Sequence, residues 1–501
     1  MSAPTASPPN LQPPVGHLRR LLSDSAIYGL GGVASQALGI VLVPLYARQL
    51  GVANYGVLAV INTTLSLTSM VATLALTQAF FRSYLSEARS QEARHAVLAG
   101  ALGLRLAVSV TFLALYALLA LPLTLLIFGT EQRLPLLLLI APVVFFDSLN
   151  LVPLSYLRAE RRAAQFAALA FFRAIFGTVL IVILVVPLGL GVAGVLIGSS
   201  ISALISVLAG TWILIRNGVA RPRLDRALWR HMLVFSLPLV PAAVAGWSLN
   251  VSDRYVIGAF DGFRAVGVYA AGYTIGLVMN ALVIQPFGLA WGAAYWEFAR
   301  MPEGKRLIAR AMTLFVVLAS VPALALSVFG TDAVRLLLGP DFEAGRFVIP
   351  FSAFGYLLYG VYSIAGTGLN VSSQTRWLPI TVASAAAANV AINLTAIPLF
   401  GFMAAAWSTL LSYALLALLT GIAAQRYYPV PWDYPRLLGT LGLALGLAAA
   451  GLLGPDLFVW RLACFVAFPV ALVVSGILAR TDLARTVGWL QGLPQRLRGT
   501  S

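Results

Sequence analysis

Fourteen apolar runs, each about long enough to cross a bilayer, follow one another along this chain with only short polar connections between them. A spanning segment needs ~20 mostly apolar residues. Inside lipid its backbone polar groups have to be satisfied within the segment itself, which makes it a helix. The runs lie near 24–49, 54–80, 94–122, 134–157, 163–187, 191–215, 230–252, 264–290, 307–329, 348–369, 377–398, 402–425, 436–454 and 457–479. With 60% hydrophobic and only 10% charged residues, the 501-residue chain has no stretch left for a large soluble domain. The expected fold is an all-α polytopic membrane protein of about 14 transmembrane helices.

The charge follows the membrane topology. The chain carries 33 Lys and Arg against 17 Asp and Glu, a net +16. With the N-terminus inside, 24 of the basic residues fall in cytoplasmic segments and 7 on the outer side. Arg105 and Arg173 remain, inside helices. The bias predicts a multi-pass protein of the cytoplasmic (inner) membrane with both termini cytoplasmic. It also explains the high charge without nucleic acid. Residues 1–20, rich in Pro, Ser and Ala, read as a cytoplasmic tail without the layout of a cleaved signal. Residues 481–501 read as a second tail, with a short amphipathic segment at 483–498 on the inner surface.

Cys464 is the only cysteine, so no disulfide forms within the chain. His17, His95 and His231 show no ligand spacing, so no metal site is expected. No phosphate-binding G-x-x-x-x-G-K-[ST] motif is present, which argues against an ATPase motor in this chain.

The chain reads as a duplication with an offset of 211 residues. Pro187-Leu188 matches Pro398-Leu399, Tyr55-Gly56-Val57 aligns with Val266-Gly267-Val268, and Tyr84 falls on Tyr295. Six helices are followed by six in the same orientation, with two more appended. Parallel repeats are a transporter pattern, with the substrate site between lobes.

Several stretches resemble the polysaccharide-biosynthesis flippases. They are Asp253-Arg254-Tyr255-Val256-Ile257-Gly258, then Val266 to Tyr273, Ala47-Arg48-Gln49-Leu50-Gly51 followed by Tyr55-Gly56, and Leu157 to Arg162. The chain is similar over about residues 20–480 to lipid-linked oligosaccharide flippases (Wzx-like) of the multidrug/oligosaccharidyl-lipid/polysaccharide exporter superfamily. That resemblance implies two lobes, 21–220 and 226–426, forming a V around a central cavity, with helices 13–14 at 432–480. It implies alternating access and a polyprenyl-pyrophosphate-linked sugar chain as substrate. Partners would be membrane lipids and the polymerase and glycosyltransferases of the same pathway.

Arg105, Asp147 and Arg173 each sit deep in an apolar helix. Eleven to thirteen residues of helix place them ~16 Å from the membrane surface. The 211 offset gives them Val316, Leu358 and Ser384 as counterparts, so this charge is confined to the first half. One reading has Arg105 and Arg173 receiving the pyrophosphate, because guanidinium binds phosphate bidentately and stays charged. Asp147 then balances charge or couples H+ or Na+, and the second lobe offers a neutral wall. A second reading is a structural pair of Asp147 with Arg173 or Arg105. A third is snorkelling of the arginines.

Arg48, Asp253 and Arg254, at outer helix ends, are candidates for the cavity mouth or for interfacial anchoring. Asp24 is an N-cap or part of an inner gate. Asn280 and Gln285 are candidates for sugar hydroxyls or for helix–helix bonds. Pro238 and Pro241 bend helix 7 as a candidate gate. Because transport breaks no covalent bond, no catalytic residue is expected. The competing readings are a drug/cation antiporter of the same superfamily, a peptidoglycan lipid-precursor flippase, and a membrane glycosyltransferase or ligase. The short basic loops argue against the last of these.

Overall fold

The structure, a computed structural model, describes the backbone of residues 15–218 and 221–476, with side chains from Leu42 onward. Residues 1–14 of the proposed tail 1–20, the tail 481–501, the amphipathic segment 483–498 and the side chain of Asp24 lie outside the described residues, whereas the backbone of 15–20 is already helical.

The described chain is helical throughout, without a strand. A single rod from Val15 to Thr73 breaks at Gly51, whose φ of 70° only glycine adopts freely, giving α1 (15–50) and the start of α2 (52–87). There follow α3 (Gln91–Phe128), α4 (Glu131–Ala159), α5 (Ala163–Val185), α6 (Gly191–Arg216), α7 (226–260) and α8 (Gly262–Arg300). Then come α9 (Gly304–Val328), α10 (Pro340–Val371), α11 (Trp377–Phe400), α12 (Phe402–Tyr427), α13 (Tyr434–Leu453) and α14 (Phe458–Val474). Among the described residues 12 helices are long and apolar enough to cross a membrane. In that count 42–87 is one helix through the Gly51 break, and α14, apolar but only 17 residues long, falls just short.

The connections alternate between two faces. On the basic face Tyr84 donates to Glu160 at 2.7 Å, Arg162 to Asn217 at 2.7 Å, and His231 meets Glu87 at 3.1 Å. On the opposite, arginine-poor face the α9–α10 and α13–α14 connections are tied by ion pairs. Arg335 reaches Asp456 at 2.7 Å, and Arg461 reaches Asp456 at 2.8 Å and Asp332 at 3.0 Å. Hydrogen bonding to Arg335 holds the Asp456 carboxyl below the usual carboxylate range. A depressed carboxylate contributes stability above its unfolded pKa, near ~3.9, and loses it as pH falls through the folded value. The α13–α14 connection is therefore expected to lose hydrogen-exchange protection in acid before the helical core does. Equal protection at neutral and acid pH would overturn this.

The two halves meet on the arginine-poor face. There α2 and α8 pack backbone to backbone at two glycines. A Cβ on Gly56 would lie 1.8 Å from the Phe263 carbonyl oxygen, and one on Gly267 would lie 2.1 Å from that of Val52. Small residues allow such approaches between membrane helices. Phe263 is Val52 shifted by 211 and Gly267 is Gly56 shifted by 211, so equivalent residues of the two repeats face each other about a pseudo-two-fold axis. Around this seam Arg48 donates to the Leu336 carbonyl at 2.9 Å, Tyr55 packs edge-on to Phe342, and Phe128 packs against Phe263.

Toward the basic face α2 and α8 part into different cores, and only the first stretch of α7 stays with the first half. Val57 to Ile61 of α2 share one core with Val266 and Tyr269 of α8. Leu76 to Tyr84 of α2 belong to a separate core built with α3, α4 and the start of α7. The basic-side part of α8, Gln285–Arg300, packs on α9 and α10 of its own half. α13 lays Thr440, Ala444, Ala448 and Gly451 on α9, where small residues bring the axes close.

Candidate functional site

Arg173 of α5 and Asp147 of α4 form an ion pair inside the membrane span, each side chain about one-third exposed. Their similar depth, read from the two helices, is what lets them meet. Arg173 also lines a cavity of ≈ 400 Å³ between α1, α4, α5 and α6, together with Asn150, Thr178, Ser202 and Ser206. Asn150 is 1% exposed and donates to Ser206 at 2.9 Å, while its carbonyl oxygen has no partner. The cavity thus offers a guanidinium, hydroxyls and a free acceptor. Asp147 and Arg173 thus meet as an ion pair, and the cavity beside Arg173 lies within the first half rather than between the lobes.

Arg105 takes a different place from the one expected. It is 2% exposed, and its Nη1 donates to the carbonyls of Ala72 at 3.3 Å and Thr73 at 3.1 Å. Those carbonyls end the first part of α2, where Leu74 and Ala75 turn left-handed with φ of 47° and 51°. Helix ends leave carbonyls without amide partners, and a cation there satisfies them and complements the helix dipole. In this structure Arg105 caps a broken helix rather than facing an open cavity with Arg173.

Asp253 and Arg254 also depart from expectation. α7 does not stop at 252 but runs as Asp253–Phe260 to the turn at Asp261, which draws both residues inward by about two turns. They are 2% and 6% exposed, not at a cavity mouth. Arg254 donates to Asp253 at 2.7 Å and to the Asn250 carbonyl at 2.8 Å. Tyr269 donates to the other Asp253 oxygen. The guanidinium lies 4.3 Å from the Tyr273 ring centroid, a cation–π contact. Tyr273 pairs with Tyr356 at 3.0 Å, and Tyr413 donates to Asn250 at 2.6 Å. The second half therefore contains a buried charge pair among four tyrosines, and its interior is not a neutral wall. A buried pair is tolerated when its remaining lone pairs and protons are matched, as they are here.

Arg48 is exposed and joins the halves across the seam through Leu336. Asn280 opens an i→i+5 turn, Asn280–Ile284, within α8, and Gln285 follows it, exposed. α7 is interrupted by a tight turn at Leu237–Leu239, with Pro238 inside it and Pro241 just after it. The α7 stretch before this turn, Arg226–Ser236, packs on α2 and α3, with Trp229 donating to the Gly100 carbonyl at 2.9 Å. The stretch after it packs on α11. Asn389 and Asn393 of α11 bond each other at 3.0 Å, and Asn389 reaches Ser408 of α12 at 2.9 Å, a bond between helices.

Sequence reasoning left out Asn150 and the tyrosines at 269, 273, 356 and 413. The apolar Val256-Ile257-Gly258-Ala259-Phe260 run was the available signal that α7 continues and carries its charges inward.

Among known proteins, the polysaccharide biosynthesis protein family matches residues 21–291. A probable low-salt glycan biosynthesis flippase, Agl15 of Haloferax volcanii, is 22% identical over 251 residues, 49% of this chain. The chain spans about half the length of that curated relative, 52%. Of solved structures, the lipid II flippase MurJ in an inward closed conformation superposes with a TM-score of 0.71 at 15% identity, over 90% of this chain and all of that one. An inward-facing multidrug resistance MATE family transporter of the MOP superfamily gives 0.63 at 14% identity, over 78% of this chain and 94% of that one. The fold is that of these transporters, and with more than half of its residues matched the chain belongs to the polysaccharide biosynthesis protein family.

Proposed function

We propose that this protein turns a polyprenyl-pyrophosphate-linked oligosaccharide across the cytoplasmic membrane by alternating access. The observation that carries this reading is the arrangement of α2 and α8: one glycine seam on the arginine-poor face, and different cores for the two helices toward the basic face, where the first stretch of α7 alone crosses between the halves. With the basic face as the cytoplasmic one, the cleft receives substrate from the leaflet where the glycan is assembled. The lobes at 21–220 and 226–426 rock about the seam, and Arg173 offers a charged contact for the pyrophosphate. Movement between leaflets makes and breaks no covalent bond, so the protein acts as a transporter and not an enzyme. A gradient of H+ or Na+ drives it, with Asp147 the group that exchanges Arg173 for the ion. Membrane lipids, the polymerase and the glycosyltransferases of the pathway are its partners.

The test is transfer of a labelled polyprenyl-pyrophosphate oligosaccharide between leaflets of vesicles holding the purified protein. Transfer is expected, rising with an imposed H+ or Na+ gradient. Arg173→Gln is expected to lower the rate at least about tenfold, roughly one lost charged hydrogen bond, with normal expression. Gradient-driven efflux of cationic dyes without movement of the lipid would establish the antiporter instead.

A further inference from the structure

In an unbroken helix the carbonyls of Ala72 and Thr73 accept the amides of Leu76 and Thr77, four residues on. The left-handed Leu74 and Ala75 remove those two bonds, and α2 restarts at Leu76. Arg105 donates to both carbonyls, so one guanidinium stands in for two backbone amides. Its Nε is buried without a partner, and Arg105 has no carboxylate in reach among the described residues. A left-handed conformation at a non-glycine residue is strained and persists only where the surroundings hold it. Arg105 supplies that hold.

α8 is irregular near the same register. Leu74 and Ala75 shifted by 211 are Gln285 and Pro286. There α8 carries the i→i+5 turn Asn280–Ile284, and Pro286 brings no amide. Such turns often mark functional sites in helices, and this one keeps α8 helical without a side-chain cap. That explains why Val316, the counterpart of Arg105, is uncharged. The two helices that form the seam are thus both interrupted partway toward the basic face, one by a capped break and one by a wide turn.

We propose that Arg105 is a positioning residue that selects the state with the basic face open. It holds α2 bent. As the basic face closes, α2 straightens, Ala72 and Thr73 recover the amides of Leu76 and Thr77, and Arg105 is released. This rests on the alternating-access reading, and it gives Arg105 a task separate from contact with the substrate.

The test reads conformation without substrate. The buried Cys464 is replaced by Ala, and a single cysteine is placed at Gln78 or Gln285, both exposed beyond the interruptions. Labelling by a membrane-impermeant thiol reagent from the basic face, and hydrogen exchange at Leu76 and Thr77, are then compared in three forms. Arg105→Met is expected to reduce labelling about tenfold and to raise protection at Leu76 and Thr77. Arg105→Lys, which keeps donors for both carbonyls, is expected to stay near the parent. Unchanged labelling in Arg105→Met, or equal thermal destabilisation by Met and Lys with no change in labelling, would overturn the proposal. A failure of lipid transfer with these labelling shifts intact would count against the substrate reading and leave Arg105 as the hold on α2.

Discussion

Gly56→Val and Gly267→Val are each expected to stop the proposed lipid transfer while leaving the folded protein intact. The obstacle is geometric. A Cβ at either position meets a backbone carbonyl, 1.8 Å away at Gly56 and 2.1 Å at Gly267, and a carbonyl cannot rotate aside as a side chain can. Overpacking costs ~1–3 kcal/mol even where neighbours yield. The clash exists only while the seam is closed, so the cost falls on one state. A bias of that size shifts the ratio of states about 5–150-fold toward the form open on the arginine-poor face. The measurement is labelling of a cysteine at Tyr55 from that face, expected to rise, alongside thermal unfolding, expected to move little. A seam unrelated to the transport cycle would show normal transfer in both variants. The double variant adds little beyond either single one, because both prevent the same closure.

Asp253→Asn and Arg254→Gln are expected to be the most destabilising single charge changes in the chain. Each leaves the other charge buried at 6% exposure or less, without its counter-ion. Breaking a buried pair typically costs ~3–5 kcal/mol, whereas replacing both partners by apolar residues is often near neutral. Asp253→Leu with Arg254→Met should therefore recover much of the loss, though Tyr269 and Asn250 keep polar atoms that then lack partners. Tyr269→Phe, which removes one neutral-to-charged hydrogen bond, should cost less, ~1.5–3 kcal/mol. Thermal unfolding of the purified protein across the double-mutant cycle measures the coupling. A coupling energy near zero would mean that the pair does not hold α7, α8, α10 and α12 together.

The apolar runs made the membrane helices readable, because bilayer thickness imposes their length on any sequence. The 211 offset carried more than expected: it located Gly56 and Gly267, the residues that touch. Asp147 and Arg173 were legible as a pair because equal depth on sequential helices brings them together. Arg105 was not legible, since its partner is backbone. Nothing about Leu74-Ala75 signals a left-handed turn, and so nothing showed which carbonyls would need a donor. Asp253 and Arg254 were misplaced because two adjacent charges look like a helix end. What keeps α7 helical through them is the ring of Tyr269, Tyr273, Tyr356 and Tyr413, spread over 145 positions of sequence and gathered only by folding.

The seam has one more consequence, for how such a chain arises. Val52 faces Gly267 as Phe263 faces Gly56, the reciprocity of an isologous dimer in which each partner presents the same patch. A six-helix ancestor with this patch would assemble with its own copy, and joining two copies end to end makes the assembly permanent. From then on the halves drift separately. One gained a buried arginine to hold a broken helix, the other a charge pair among tyrosines, and a machine that began symmetric came to have unlike arms.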